Sequence, residues 1–222
     1  MAALPPKAKP QDIVAIFKAF QQANPHPRTE LLYHTPYQLL VAVVLSAQAT
    51  DRGVNLATEP LFKKVKTSAD MLAFGEPALL EAIKSIGLFR TKAKNVMALS
   101  AQLEQQHGGN VPRTREELEA LPGVGRKTAN VVLNQLYGQP TIAVDTHVFR
   151  VARRLGLSRG NTPEAVEADL HKVIPAEFQQ HAHHWLILHG RYTCVARKPK
   201  CAVCPVAVYC HAPEKNVPDK KA

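Results

Sequence analysis

The chain has 222 residues, 45% of them hydrophobic, enough for one large core or two modest lobes. Its 28 Lys and Arg against 18 Asp and Glu leave a formal charge of +10, which points to an anionic partner. The first ten residues lack the apolar stretch of a secretory signal, and the longest apolar run, residues 39–45, is far below the roughly 20 needed to span a bilayer, so an intracellular protein without membrane contact is expected.

Helical periodicity dominates and no sustained apolar/polar alternation is found, so an all-α fold is expected. Residues 1–10, rich in Pro and Lys, read as a flexible leader. Ile13, Val14, Ile16, Phe17 and Phe20 fall on one helical face and are followed by the break Asn24-Pro25-His26-Pro27. Thr35-Pro36 supplies a cap and a first-turn proline for a helix apolar on nearly every side as far as Leu45, expected to be buried at the centre. Amphipathic segments follow near 51–65, 69–74, 77–85 and 91–106. Thr114-Arg-Glu-Glu117 has capping-box spacing and opens a short helix that stops at Pro122-Gly123. Further helices are expected just after Gly125 and near 146–155, 163–172 and 178–190. The histidines at 181, 183, 184 and 189 suggest metal binding, but beside Trp185, Leu186 and Ile187 they read as parts of a packed helix.

Leu118-Glu-Ala-Leu-Pro-Gly-Val-Gly-Arg-Lys-Thr-Ala-Asn-Val-Val-Leu133 is a helix, a tight turn and a second helix, read as a helix-hairpin-helix over 118–133. Gly123 and Gly125 would allow positive φ and close backbone approach, so that amides of the turn and of Val124 and Arg126 can point at a phosphate without reading sequence. The bland alternative is an ordinary turn between two helices. Lys127 lies in the first turn of the second helix, where the helix dipole and Arg126 disfavour its protonation, and a neutral amine is a nucleophile. Asp145, in Gln139-Pro-Thr-Ile-Ala-Val-Asp-Thr-His-Val-Phe-Arg150, ends an apolar stretch at a helix start. It can serve as an N-cap and equally as an oriented carboxylate that stabilises positive charge.

Cys194, Cys201, Cys204 and Cys210 are all the cysteines, spaced C-x6-C-x2-C-x5-C over 17 residues. Such compactness argues for one metal centre over two disulfides, either structural zinc or a four-iron cluster; a single C-x2-C pair fits the larger body better. Between the first two cysteines, Arg197-Lys198-Pro199-Lys200 makes a basic finger. Residues 121–160 carry six basic residues against one acid and 182–222 seven against two, so each nets +5 and together they hold the whole formal charge. Charge therefore lies where the glycine turn and the cysteines lie.

These residues, with His183-His-Trp-Leu-Ile-Leu-His-Gly-Arg-Tyr-Thr-Cys194 and Leu45-Ser-Ala-Gln-Ala-Thr-Asp51, closely resemble the endonuclease III family over roughly residues 11–212. The resemblance implies a two-lobed helix-hairpin-helix glycosylase fold: a six-helix bundle over 28–139, and a cluster lobe of 11–27 with 140–222 whose loop spans 194–210. DNA would bind across the cleft between them. It also implies that Lys127 attacks the sugar, that Asp145 assists from the other lobe, and that the four cysteines hold a [4Fe-4S] cluster. Gln48 and Leu88 would fill the space left by an extruded base, Asp51 would lie near the lesion pocket, and His147 and Arg150 would approach the strand backbone.

The activity so implied is removal of oxidised pyrimidines from double-stranded DNA through a lysine Schiff base, then nicking 3′ to the abasic site by β-elimination. The enzyme would act as a monomer at the nucleoid. Two alternatives stand beside it: a pyrimidine-dimer glycosylase and lyase, which shares the lysine, and a non-catalytic DNA-binding redox module. An adenine-excising relative would lack the lysine.

Overall fold

The computed structural model describes residues 4–216; the first three residues of the expected leader and the last six of the basic tail lie outside them. Among the described residues there are eleven α-helices and no strand. They form two compact units, residues 1–28 with 140–222 and residues 29–139.

The second unit is organised around α2 (Pro36–Leu45), in which every residue from Tyr37 to Leu45 is buried. Thr35 starts it by accepting a hydrogen bond from the Gln38 amide, and Pro36 fills the first turn, where no intrahelical donor is needed. The wholly buried Gln38 is satisfied: its Nε2 donates to the Phe62 and Val65 carbonyls at 2.9 and 2.8 Å, and its Oε1 accepts from the His34 amide at 2.8 Å. Those bonds tie the start of α2 to the end of α3 (Asp51–Lys64). Then come α4 (Ser68–Phe74), opened by a complete Thr67/Asp70 capping box, α5 (Glu76–Ile83) and the long α6 (Phe89–His107). The chain continues through α7 (Arg115–Glu119) to α8 (Arg126–Tyr137). Helix α2 packs on α3, α6 and α8, so the start of α8 is carried by a helix sealed in the core.

In the other unit α1 (Pro10–Ala23) lies against α11 (Ala176–Tyr192), with Phe17 stacked on Phe178 at 5.9 Å between ring centres and Trp185 Nε1 donating to the Asn24 carbonyl at 2.8 Å. Helices α9 (Thr146–Arg154) and α10 (Pro163–Val173) complete its core. His183, His184 and His189 are buried in α11, and burial takes His184 and His189 down to about 4, so both are neutral at physiological pH. The leader is not loose along its described part. The Ala8 amide donates to the Gly156 carbonyl at 3.0 Å, Arg159 donates to the Pro5 carbonyl at 3.1 Å, and a Cβ at Gly156 would meet the Pro6 carbonyl oxygen at 2.3 Å. A backbone bond and a guanidinium bond to a distant loop, invisible in a Pro/Lys-rich string, hold it.

Candidate functional site

The turn between α7 and α8 is closed by two backbone bonds, Leu121 to the Leu118 carbonyl and Val124 to the Leu121 carbonyl, each 3.1 Å. Only one of its glycines has the positive φ expected of both. Gly123 sits at φ +77°, and a Cβ there would come within 2.9 Å of Asn95 on α6. Gly125 is extended, φ −100° and ψ 177°, and a Cβ there would meet nothing within 4 Å. Nothing inside the chain therefore requires glycine at 125; its bare backbone leaves the start of α8 open to approach from outside. Val124 is buried and offers only main chain. Gly125 precedes α8 without a capping side chain, and Arg126 and Lys127, the first two helical residues, are exposed. Asn95 was not legible as part of this site, because the contact joins residues 28 apart on separate helices.

Three non-glycine residues among those described have positive φ: Gln48 at 54°, Leu88 at 60° and Lys198 at 53°. Such left-handed residues cost on the order of 1 kcal/mol each and gather at functional positions. Gln48 is exposed in the turn before α3, and Leu88 heads α6 with 60% of its surface in solvent, an unfavourable place for leucine in a free chain. Asp51 is the first residue of α3, where Thr50, not Asp51, is the cap.

Asp145 caps α9, one Oδ1 accepting from the His147 and Val148 amides at 2.9 and 2.8 Å, which fixes the carboxylate's direction. His147 is half-buried with its Nδ1 3.2 Å from Arg150 Nη2. Arg150 turns inward: Nε donates to the Cys194 carbonyl at 3.1 Å, Nη2 to the Gly190 carbonyl at 2.8 Å and Nη1 to the Thr146 carbonyl at 3.4 Å. The Gly190 carbonyl belongs to the last turn of α11, where the chain itself leaves acceptors without helical donors. Burial lowers the Arg150 pKa, while Cys194 raises it and Arg154 lowers it further. The guanidinium expected at a DNA strand is thus engaged between the helix that Asp145 starts and the first cysteine.

All four cysteines are unpaired, half-buried, and line one cavity with Arg154 and His189. No three His, Cys, Asp or Glu side chains among the described residues are placed to hold a single metal ion. Four sulfurs lining one cavity make a thiolate set that can hold a multi-iron body. Burial raises the Cys204 thiol to about 11, against a hydrogen bond from the Val206 amide, and the other three cysteines raise it further; burial also raises Cys210, with Cys194 and Cys201 adding to it against the Ala212 amide and Lys215. Thiols that oppose one another's ionisation need a shared cation, and the two arginines at Cys194 suit the anionic assembly that results.

Residues 41–176 match the family model described as HhH-GPD superfamily base excision DNA repair protein, and residues 194–210 match the iron-sulfur binding domain of endonuclease III. Among curated relatives, endonuclease III of Rickettsia felis is 58% identical over 200 residues, 90% of this chain and 94% of that protein. Endonuclease III of Escherichia coli K12 is 54% identical over 200 residues, 90% and 95% of the two chains. Among solved structures, a trapped endonuclease III–DNA covalent intermediate superposes with a TM-score of 0.85 at 46% identity, covering 91% of this chain and 95% of its own. A thermostable thymine-DNA glycosylase, 24% identical with a TM-score of 0.79 over 90% and 95% of the chains, shares the fold. No helix among the described residues is long and apolar enough to cross a membrane.

Proposed function

This chain belongs to the endonuclease III family within the HhH-GPD base excision DNA repair proteins, as a DNA glycosylase and abasic-site lyase with a [4Fe-4S] cluster, and we propose that Lys127 is the nucleophile by which it excises oxidised pyrimidines from double-stranded DNA. The observation that carries this reading is the opening of α8: a bare extended glycine, no side-chain cap, and an exposed amine at the second helical position. There the helix N-terminus draws a phosphate while it disfavours a protonated lysine.

A lesion base that stacks poorly is the least costly to extrude. Gln48 and Leu88, already held in left-handed conformations, are suited to enter the space it leaves. The neutral Lys127 amine attacks the anomeric carbon, the glycosidic C–N bond breaks, and the base leaves with the bonding electrons and takes up a proton. Asp145, held by its two amide bonds, stabilises the positive charge that develops on the sugar. Loss of an amine proton and ring opening give an iminium. That group accepts electrons as the 2′ proton is removed, the 3′ phosphate departs, and water returns the lysine. Amides of Gly123, Gly125 and Arg126 position the strand, the Val124 amide being held by the Leu121 carbonyl, and His147 approaches the strand backbone. Cys194, Cys201, Cys204 and Cys210 hold the [4Fe-4S] cluster, which supplies the crosslink that orders a segment poor in apolar residues. The protein acts as a monomer inside the cell, on nucleoid DNA.

Purified enzyme is expected to cut duplexes bearing thymine glycol and abasic duplexes, and to leave cyclobutane-dimer duplexes intact. Lys127→Gln is expected to lose both activities by on the order of 1,000-fold or more. Preferential cutting at dimers would replace oxidised pyrimidines as the substrate, and full scission by Lys127→Gln would remove the nucleophile.

A further inference from the structure

Arg154, the last residue of α9, is no part of the turn, the carboxylate or the cysteine set, yet it meets the cysteine loop at several points. Its Nη1 donates to the Val195 carbonyl at 2.8 Å and lies 3.5 Å from Cys194 Sγ. Nη2 donates to the Ala196 carbonyl at 3.0 Å. On the outer side Nε is 3.9 Å from Glu214, just past the last cysteine, and the Arg154 carbonyl oxygen lies 3.7 Å from Cys210 Sγ. One residue therefore meets the first cysteine through its side chain and the last through its backbone, at the two ends of the 17-residue loop. The side chain is only 12% exposed, so these contacts form where water competes weakly. Cys204 instead meets the Val206 amide and the His189 ring, the latter at 3.8 Å, and Cys210 meets the Ala212 amide.

We infer that Arg154 is the positioning residue of the cluster loop, its guanidinium fork fixing the backbone after Cys194 while one N–H points at that cysteine's sulfur and sets the reduction potential of the bound cluster. The inference rests on the assignment of the four cysteines as cluster ligands. An N–H donor and a positive charge at a ligand sulfur favour the more reduced, more negative state of an iron-sulfur centre, so they raise its potential. The fork matters as well as the charge: a planar group with fixed donors bridges two successive carbonyls, and a lysine ammonium offers one point.

The test uses the cluster-loaded protein and the variants Arg154→Met, Arg154→Lys and, as a control, Arg153→Met. Arg153 is the neighbouring helical residue and binds the Gly160 carbonyl at 2.6 Å instead of the loop. Two quantities are read: the reduction potential by voltammetry, and the rate at which visible absorption is lost to an iron chelator. Arg154→Met is expected to shift the potential negative and to lose its cluster about tenfold faster. Arg154→Lys should recover much of the potential but not the lifetime, and Arg153→Met should match the parent in both. If Arg154→Met arrives without a cluster, Arg154→Lys decides by the same two readings. Parent-like potential and lifetime in Arg154→Met, or full recovery of both by lysine, would overturn the inference. Parent protein that contains zinc, or no iron, would instead refute the ligand assignment, whatever Arg154 does.

Discussion

Residues 29–139 are organised around nine consecutive buried residues of α2, with the one fully buried amide there, Gln38, bonded on both its ends. Residues 194–216 have three buried apolar side chains, Pro199, Val206 and Ala212, and expose Val203 and Val208 at 74% and 75%. The first region has the apolar burial that stabilises a helical bundle in water. The second has two single-turn 3-10 segments, four half-buried thiols and an arginine clasp, so its order depends on what the thiols hold. The two regions show how one chain sets an exposed lysine, Lys127, on a scaffold with its own apolar core and assigns a separate segment to a cofactor.

The sharpest way to break this contrast is to remove a ligand. Cys210→Ala is expected to abolish visible absorption and to raise amide exchange across 194–216 by orders of magnitude, while amides of α2 and α6 keep their protection; hydrogen exchange read by mass spectrometry checks both halves at once. Equal loss in both regions would mean that the bundle also depends on the cluster. The converse is Leu40→Ala, which removes a fully buried side chain and should lower unfolding stability by about 2–5 kcal/mol without altering the absorption spectrum of the native protein.

Acid should separate the regions next. The buried histidines all lie on α11, in the unit that bears the cysteines. His184 titrates near 4 when folded against 6.5 for the free side chain, so the unfolded chain binds the extra proton between those values. Its contribution is full above pH 6.5 and is lost as pH falls towards 4, by roughly 1–3 kcal/mol. Denaturant unfolding across that range, repeated for His184→Phe, should show the slope and its flattening. The smallest effect concerns the glycines. Gly125→Ala should leave stability within about 0.5 kcal/mol and weaken binding to an abasic duplex about tenfold, or ~1.4 kcal/mol. Gly123→Ala should cost about 1–3 kcal/mol of stability, from its positive φ and the Asn95 contact. Calorimetry and fluorescence anisotropy separate the two.

The legible parts of this molecule are those with local causes. Thr35-Pro36 followed by an unbroken apolar run forecasts α2 because a cap, a first-turn proline and all-round burial are properties of adjacent residues. The same holds for Thr114 ahead of α7 and for Asp145, whose capping follows from its position before α9. The rest rests on contacts between distant residues. Arg150 turns inward because Gly190 lets α11 approach α9, a Cβ there falling 2.8 Å from His147 Cβ, and so brings a helix-end carbonyl within reach. No pattern in either helix encodes that approach. Gly125 shares with Gly123 the pattern that suggests positive φ, but conformation is set residue by residue, and only Gly123 turns the chain. Arg154 is illegible in the sequence for a comparable reason: the carbonyls it binds are some forty residues away.

The claim on which all of this depends is that the amine of Lys127 bonds covalently to deoxyribose. Enzyme mixed with a thymine glycol or abasic duplex and reduced with borohydride should yield a protein–DNA adduct whose crosslinked peptide carries the modification at Lys127, and Lys127→Gln should give none. An adduct at another residue, or strand scission with no trappable adduct, would contradict the account.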